Sequence, residues 1–217
     1  MMQPPQINAR KMYYITPNYS VAFIPKNGCS SLARATIKAF QPEQEYEIST
    51  AKYPDGKNED NVQVQFLVNK ELNPSKQVLA FIREPVQRFL SAMVQVYLSD
   101  VEQALTALEQ GLTIPATNGR NINMPTNPHF FPQHVWMNNT AKLYRFPDHL
   151  EEGALEIGYS LPLPAVNPAR SEKPVPTQEQ EQRIRNYYSK DKELFDAISI
   201  PGVILQDVLG QDWMQGT

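Results

Sequence analysis

Several things are scarce in this 217-residue chain, and each shortage removes a class of proteins. There is one cysteine, Cys29, so no internal disulfide can form. That suits a reducing compartment, and a cytoplasmic location is the expectation. No apolar run approaches the ~20 residues that span a bilayer. The opening MMQPPQINARKMYY has no apolar stretch of the kind a secretory signal needs. Membrane insertion is therefore not expected. No block rich in Lys and Arg occurs, and the formal net charge is -3. Nucleic-acid binders usually carry a basic stripe, so nucleic acid is not an expected partner. A strongly polyanionic partner is disfavoured as well, although a basic cleft can sit inside an acidic total.

What is present is ordinary for a folded chain: 41% hydrophobic and 20% charged residues, with a length that fits one α/β domain over residues 1–217. Residues 1–17 read as a loose arm. Residues 19–24 (YSVAFI) and 77–82 (QVLAFI) are short apolar runs rich in β-branched and aromatic residues, the pattern of buried strands. Residues 62–68 alternate like an edge strand, and 141–146 form a third core strand. Residues 41–61 are polar and hold the turn signal Pro54-Asp55-Gly56. Helices are expected over 30–40, from Pro85 onward, over 101–110 up to Gly111, and over 149–157. In the second of these, Val86, Phe89, Leu90, Met93, Val94 and Tyr97 follow helical spacing throughout. Residues 112–128 read as a long loop, and 161–176, with five prolines, as irregular chain. Thr177-x-x-Gln180 is a capping-box pattern opening a last helix with Ile184, Tyr187 and Tyr188, followed by a turn with Leu194 and Phe195. Strand, loop and helix in alternation imply a parallel sheet with helices on both faces, a P-loop-type three-layer α/β fold. Ligands in such folds sit at the carboxyl ends of the strands.

The segment IPKNGCSS, residues 24–31, joins the first core strand to its helix. N–H groups at a helix N-terminus attract anions, Gly28 lets backbone approach a phosphate, Ser30 and Ser31 add hydroxyls and Lys26 a charge. The Walker pattern G-x-x-x-x-G-K-[ST] is absent, which argues against a nucleoside-triphosphatase or kinase. A plain helix cap with two serines explains the segment equally well. Arg83 ends the second core strand, with Arg88 and Ser91 following. A strand-end arginine faces the crevice and can fork onto a phosphate. The competing reading is a solvated ion pair between Arg88 and Glu84. Two anion sites on two strand ends suit a ligand with two phosphate groups.

IPKNGCSSL resembles the 5′-phosphosulfate loop of the carbohydrate sulfotransferases that use 3′-phosphoadenosine 5′-phosphosulfate (PAPS). FIREPVQRFLSAM resembles that family's 3′-phosphate motif. The stretch NPHFFPQ, residues 127–133, is similar to the His-x-x-Pro-Gln block of the Golgi members, and IRNYYSKDKELFDAI to their closing Tyr-x-x-Asp-x-x-Leu-Phe signature. The four matches keep the family's order across residues 21–198. The resemblance implies PAPS as sulfuryl donor, with no metal, and a glycan or small-molecule acceptor. The membrane anchor, multiple cysteines and basic surface of those relatives are not part of this sequence. Lys26, Asn27, Gly28, Cys29, Ser30, Ser31, Arg83 and Ser91 are the expected nucleotide contacts. Lys26 would neutralise charge on the leaving oxygen. His129 is the candidate base for the acceptor hydroxyl, with His134 and Glu84 behind it and His149 read as a helix cap. A structural loop histidine is an equal reading of His129. Phe130, Phe131 and Trp136 offer an aromatic wall for an acceptor, while Tyr187, Tyr188 and Phe195 read as core. Arg170 and Lys173 read as surface charges within reach of a nucleotide. Cys29 reads as a loop-shape residue, since no His–Asp pair is evident to support a nucleophile. A nucleotide kinase and a non-catalytic nucleotide- or glycan-binding module are the alternatives.

Overall fold

The computed structural model describes residues 13–40, 48–52, 58–62, 68–69, 76–163 and 172–214. Its centre is a six-stranded sheet in the order β10-β9-β6-β2-β1-β5. The strands are β1 (Tyr13–Ile15), β2 (Tyr19–Ala22), β5 (Val68–Asn69), β6 (Gln77–Arg83), β9 (Lys142–Phe146) and β10 (Val203–Ile204). The core pairs β2·β6 and β6·β9 are parallel. Between them β6 is covered on both faces, which is why its apolar run is continuous and not alternating. Leu79 and Phe81 meet one apolar cluster, and Val78, Ala80 and Ile82 meet another. The period of two in a strand divides the run between the faces.

The first cluster is closed by α1 (Cys29–Phe40) and α4 (Leu150–Ile157), which bring Leu32, Ala33, Ala154 and Ile157. The second is closed by α6 (Ser189–Ala197) and α7 (Leu205–Leu209), which bring Leu194 and Leu205. A third cluster joins α2 (Pro85–Gln95), α3 (Val101–Gln110) and α5 (Gln178–Tyr187). The helix signals hold where they were strongest. Glu84 caps α2 with Pro85 in its first turn, Gly111 ends α3 at φ 70, and both halves of the Thr177–Gln180 capping box form.

The sheet is mixed, not parallel throughout. β1 and β2 are joined by residues 16–18 alone, and so short a link permits only antiparallel pairing. Thr16 closes it, its hydroxyl donating to Tyr19 O. β5 and β10 also pair antiparallel at the two edges. Of the arm expected over 1–17, residues 13–15 are strand β1 with Tyr13 fully buried, and residues 1–12 lie outside the described residues. Of the strand expected over 62–68, only Val62 and Val68 are among the described residues. Val62 closes a hairpin of β3 (Ile48–Lys52) and β4 (Asn58–Val62), while Val68 belongs to β5. The turn at 54–56 and Arg170 lie outside the described residues. The long loop after Gly111 contains a hairpin, β7 (Thr113–Pro115) and β8 (Asn121–Asn123). The turn expected at Leu194 and Phe195 is helix α6. No helix among the described residues is long and apolar enough to cross a membrane.

Candidate functional site

Between β2 and α1 the chain makes a turn over residues 25–28. Lys26 has φ 74 and Gly28 φ 77, so the turn enters the left-handed region twice in three residues. Left-handed residues among right-handed ones are the backbone pattern of anion-binding nests, but here Asn27 N donates to Ile24 O at 3.2 Å within the turn. A Cβ at Gly28 would come within 2.6 Å of Phe146 Cε2, so glycine is required there by space as well as by φ. Asn27, expected to contact a ligand, turns inward. Its Nδ2 donates to Phe81 O and to Gln133 Oε1, both at 2.6 Å, and the residue is 2% exposed. It ties the turn to the protein.

Both arginines reach the same turn. Arg83 Nη1 donates to Lys26 O at 2.8 Å, and Arg88 Nε to Pro25 O at 3.1 Å. Arg88 is 2% exposed and does not pair with Glu84. Glu84 instead accepts from Gln87 N and pairs with Arg185 at 3.2 Å. The solvated i, i+4 pair is thereby replaced by a buried guanidinium. Arg83 Nε and Arg88 Nη2 are buried without a hydrogen-bond partner among the described residues. Burial lowers the proton affinity of both, and for Arg83 the neighbouring Arg88 charge adds to it. Buried unpaired charge is expensive, which makes this pair conspicuous.

Gln87, Ser91 and Gln95 stand four residues apart and share one face of α2. Lys173 Nζ donates to Gln87 Oε1 and Lys26 Nζ to Gln95 Oε1, each at 3.2 Å. Ser91 therefore lies between the two lysines. Lys173 also feels Arg83: burial, then that charge, lower its pKa. Cys29, Ser30 and Ser31 form the first turn of α1, half-buried. Burial pushes the Cys29 thiol up, against hydrogen bonds and the Lys26 charge that pull it down, which does not suit a nucleophile.

His129 stands in a short 3-10 turn, Pro128–Phe130, whose Asn127 side chain accepts from His129 N at 3.0 Å. Its Nδ1 is buried with no hydrogen-bond partner among the described residues. Burial, with the charges of Lys26 and Arg88 behind it, lowers its pKa to about 4. The imidazole is thus neutral at pH 7 and close enough to feel both cations. The aromatic wall does not form as expected. Phe130 and Trp136 are each 2% exposed core residues, Phe130 packing edge-on against Phe89, and of the three only Phe131 is half-buried. Their apolar rings complete clusters under the loop. Tyr188 is core, its hydroxyl donating to Phe130 O.

Two residues went unassigned in the sequence. Gln133 is fully buried and bonds both Asn27 and the backbone of Arg83. Asp191 is 1% exposed and bonds Gln133 N and His134. The His–Asp pair not evident in the sequence is therefore present, with His134 Nδ1 2.9 Å from Asp191 Oδ1, but it faces the interior beside Trp213. Gln133 closes the His-x-x-Pro-Gln block and Asp191 lies within Tyr-x-x-Asp-x-x-Leu-Phe, so the motifs themselves were the available signal. His149 holds the cap position of α4 without a side-chain cap bond; its Nδ1 accepts from Arg145 N at 3.3 Å. Among the described residues no group of three or more His, Cys, Asp or Glu is placed to hold a metal ion. No protein-family model, no curated protein and no solved structure matches the chain.

Proposed function

We propose that this protein is a sulfotransferase of P-loop type that moves a sulfuryl group from PAPS to an acceptor hydroxyl, with a carbohydrate as the acceptor class. One observation carries the reading. A turn with two left-handed residues lies against two arginines, Arg88 buried and Arg83 half-buried, each with a buried nitrogen that has no hydrogen-bond partner among the described residues. The carbonyl side of that turn is held by the arginines, and the turn leads into the N-terminus of α1, where an anion is favoured. The buried nitrogens of Arg83 and Arg88 fit a donor that carries phosphate groups. The sequence resemblance supplies the identity of that donor.

PAPS supplies an activated sulfur bonded to a good leaving oxygen. The chain's own residues do the rest. Gly28, Cys29, Ser30 and Ser31 hold the 5′-phosphosulfate from the start of α1, while Arg83 and Ser91 hold the 3′-phosphate. Lys26 neutralises the oxygen on which charge grows as the S–O bond to the nucleotide breaks. His129, unprotonated at pH 7, takes the proton of the acceptor hydroxyl as its oxygen bonds to sulfur. The balance is one S–O bond made, one broken, a proton on His129 and adenosine 3′,5′-bisphosphate released.

The test is ligand selectivity measured without Mg²⁺. Adenosine 3′,5′-bisphosphate should bind at least tenfold (~1.4 kcal/mol) tighter than AMP. Equal affinity for the two removes the 3′-phosphate roles of Arg83 and Ser91. Binding of ATP that depends on Mg²⁺, without this preference, would make the protein a kinase-like enzyme instead.

A further inference from the structure

The edge of β6 that faces β2 changes partners partway along. β2 pairs with it in register only from Tyr19↔Gln77 to Val21↔Leu79. Residues 79, 81 and 83 present their backbone groups to the same neighbour, so the strand continues past its partner with groups that need satisfying. Side chains meet that need. Asn27 Nδ2 donates to Phe81 O at 2.6 Å. Gln133 Oε1 accepts from Arg83 N at 2.9 Å, and its Nε2 donates to Arg83 O at 2.8 Å. A carboxamide carries both a donor and an acceptor, so Gln133 bonds Arg83 as a strand residue would. Its Oε1 accepts in addition from Asn27 Nδ2 at 2.6 Å.

Gln133 is itself fixed from behind. Asp191 Oδ2 accepts from Gln133 N at 2.7 Å, and Oδ1 accepts from His134 N at 3.2 Å and lies 2.9 Å from His134 Nδ1. Gln133 is 0%, Asp191 1%, Asn27 2% and His134 8% exposed, so water does not compete for these bonds. The same short segment carries His129 four residues earlier. The network therefore links the 25–28 turn, the strand end that bears Arg83, and the turn that bears His129.

We propose that Gln133 is a positioning residue whose carboxamide clamps the 25–28 turn to the end of β6, with the Asp191–His134 pair holding it, and so sets the spacing between Lys26 and His129. This rests on the reading of the 25–31 segment as the donor site. Where reacting groups must be held in line, a displacement of about 1 Å costs about 10²-fold in rate, so the clamp matters for chemistry as well as for folding.

Amide hydrogen exchange on the unliganded protein tests the clamp directly. Gln133→Glu keeps the shape and one acceptor oxygen but sets a second acceptor against Arg83 O. Gln133→Leu removes every bond. In both variants the amides of residues 26–31 should lose about tenfold or more of their protection, while those of 142–146 in β9 keep theirs. Unchanged protection at 26–31 overturns the proposal. So does an equal loss in β9, which marks general destabilisation. If Gln133→Leu fails to fold, Gln133→Glu decides alone. A parallel arm measures adenosine 3′,5′-bisphosphate affinity in wild type, Asn27→Ala, Gln133→Glu and the double variant. A double variant no weaker than the worse single supports one shared clamp; additive losses overturn it. Wild type that binds no such nucleotide sinks the sulfotransferase reading, and the exchange arm still decides the clamp because it uses no ligand.

Discussion

Lys26 holds a left-handed backbone, φ 74, that costs a non-glycine residue about 1 kcal/mol or more, and it also places its ammonium over α2 on Gln95. Lys26→Ala should lower turnover with PAPS by about 10²-fold or more while nucleotide affinity falls less, because the charge it meets grows in the transition state. A rise in KM alone would make Lys26 a general binding residue. For His129→Ala the expected loss of sulfation is about 10²–10⁴-fold with nucleotide binding retained. The neutral imidazole is the active form, so wild-type kcat/KM should fall with acid through the free-enzyme pKa of about 4, and the variant should lack that limb. Near-normal turnover with an unchanged profile moves the base elsewhere; Glu84 is then less suitable, being tied to Gln87 N and Arg185. At this scale Lys26 and His129 stand out in the sequence because their residue types announce chemistry. The inward direction of the Asn27 side chain was not legible, because nothing in a turn sequence says which way a side chain points. That direction depends on Gln133, more than a hundred residues later.

Gly28 joins two elements, ending the turn and preceding α1. Two penalties would meet a side chain there: the φ of 77 and the Phe146 ring at 2.6 Å. Gly119 in the β7–β8 hairpin has nearly the same φ, 79, with nothing within 4 Å of an added Cβ. Gly119→Ala should therefore cost about 1 kcal/mol, the backbone penalty alone. Gly28→Ala should cost at least ~1 kcal/mol more, read as the difference in urea midpoints at equal slope. It should also weaken nucleotide binding, since the ring that must move lies 5.3 Å from the Arg83 guanidinium. Equal costs for the two would show that Phe146 yields freely. Long elements were legible: β6, α2, α3 and α5 each had enough residues to display a period or a cap. Strands of two or three residues, β1, β5, β7, β8 and β10, are too short to alternate, and strand direction leaves no mark in composition. The mixed sheet follows from link lengths that only the fold displays.

The molecule's total of -3 hides a local excess of positive charge. Lys26, Arg83, Arg88 and Lys173 influence one another or His129, yet their positions are far apart in sequence, so no basic block betrays them. This arrangement has a consequence for the stability of the whole chain. An imidazole in the unfolded chain binds its proton near pH ~6.5. In the folded protein His129 does so at about 4, because burial first and the two cations second oppose its charge. Between these values the unfolded state holds more protons at this position, so acid favours unfolding. His129 should thus withdraw stability as the pH falls from about 6.5 toward 4, with nothing lost above that window. Between pH ~7 and ~5 the withdrawal amounts to roughly 2 kcal/mol, less where solvent reaches the ring. His129→Gln cannot titrate and keeps a polar side chain of similar reach. Urea unfolding of wild type and His129→Gln at both pH values isolates the effect, since every other group titrates alike in the two proteins. The stability difference between them should shift toward the variant by about that amount at the lower pH. Parallel pH dependences would place His129 in contact with solvent and away from Lys26 and Arg88, and with that the base and the donor loop would no longer share one site.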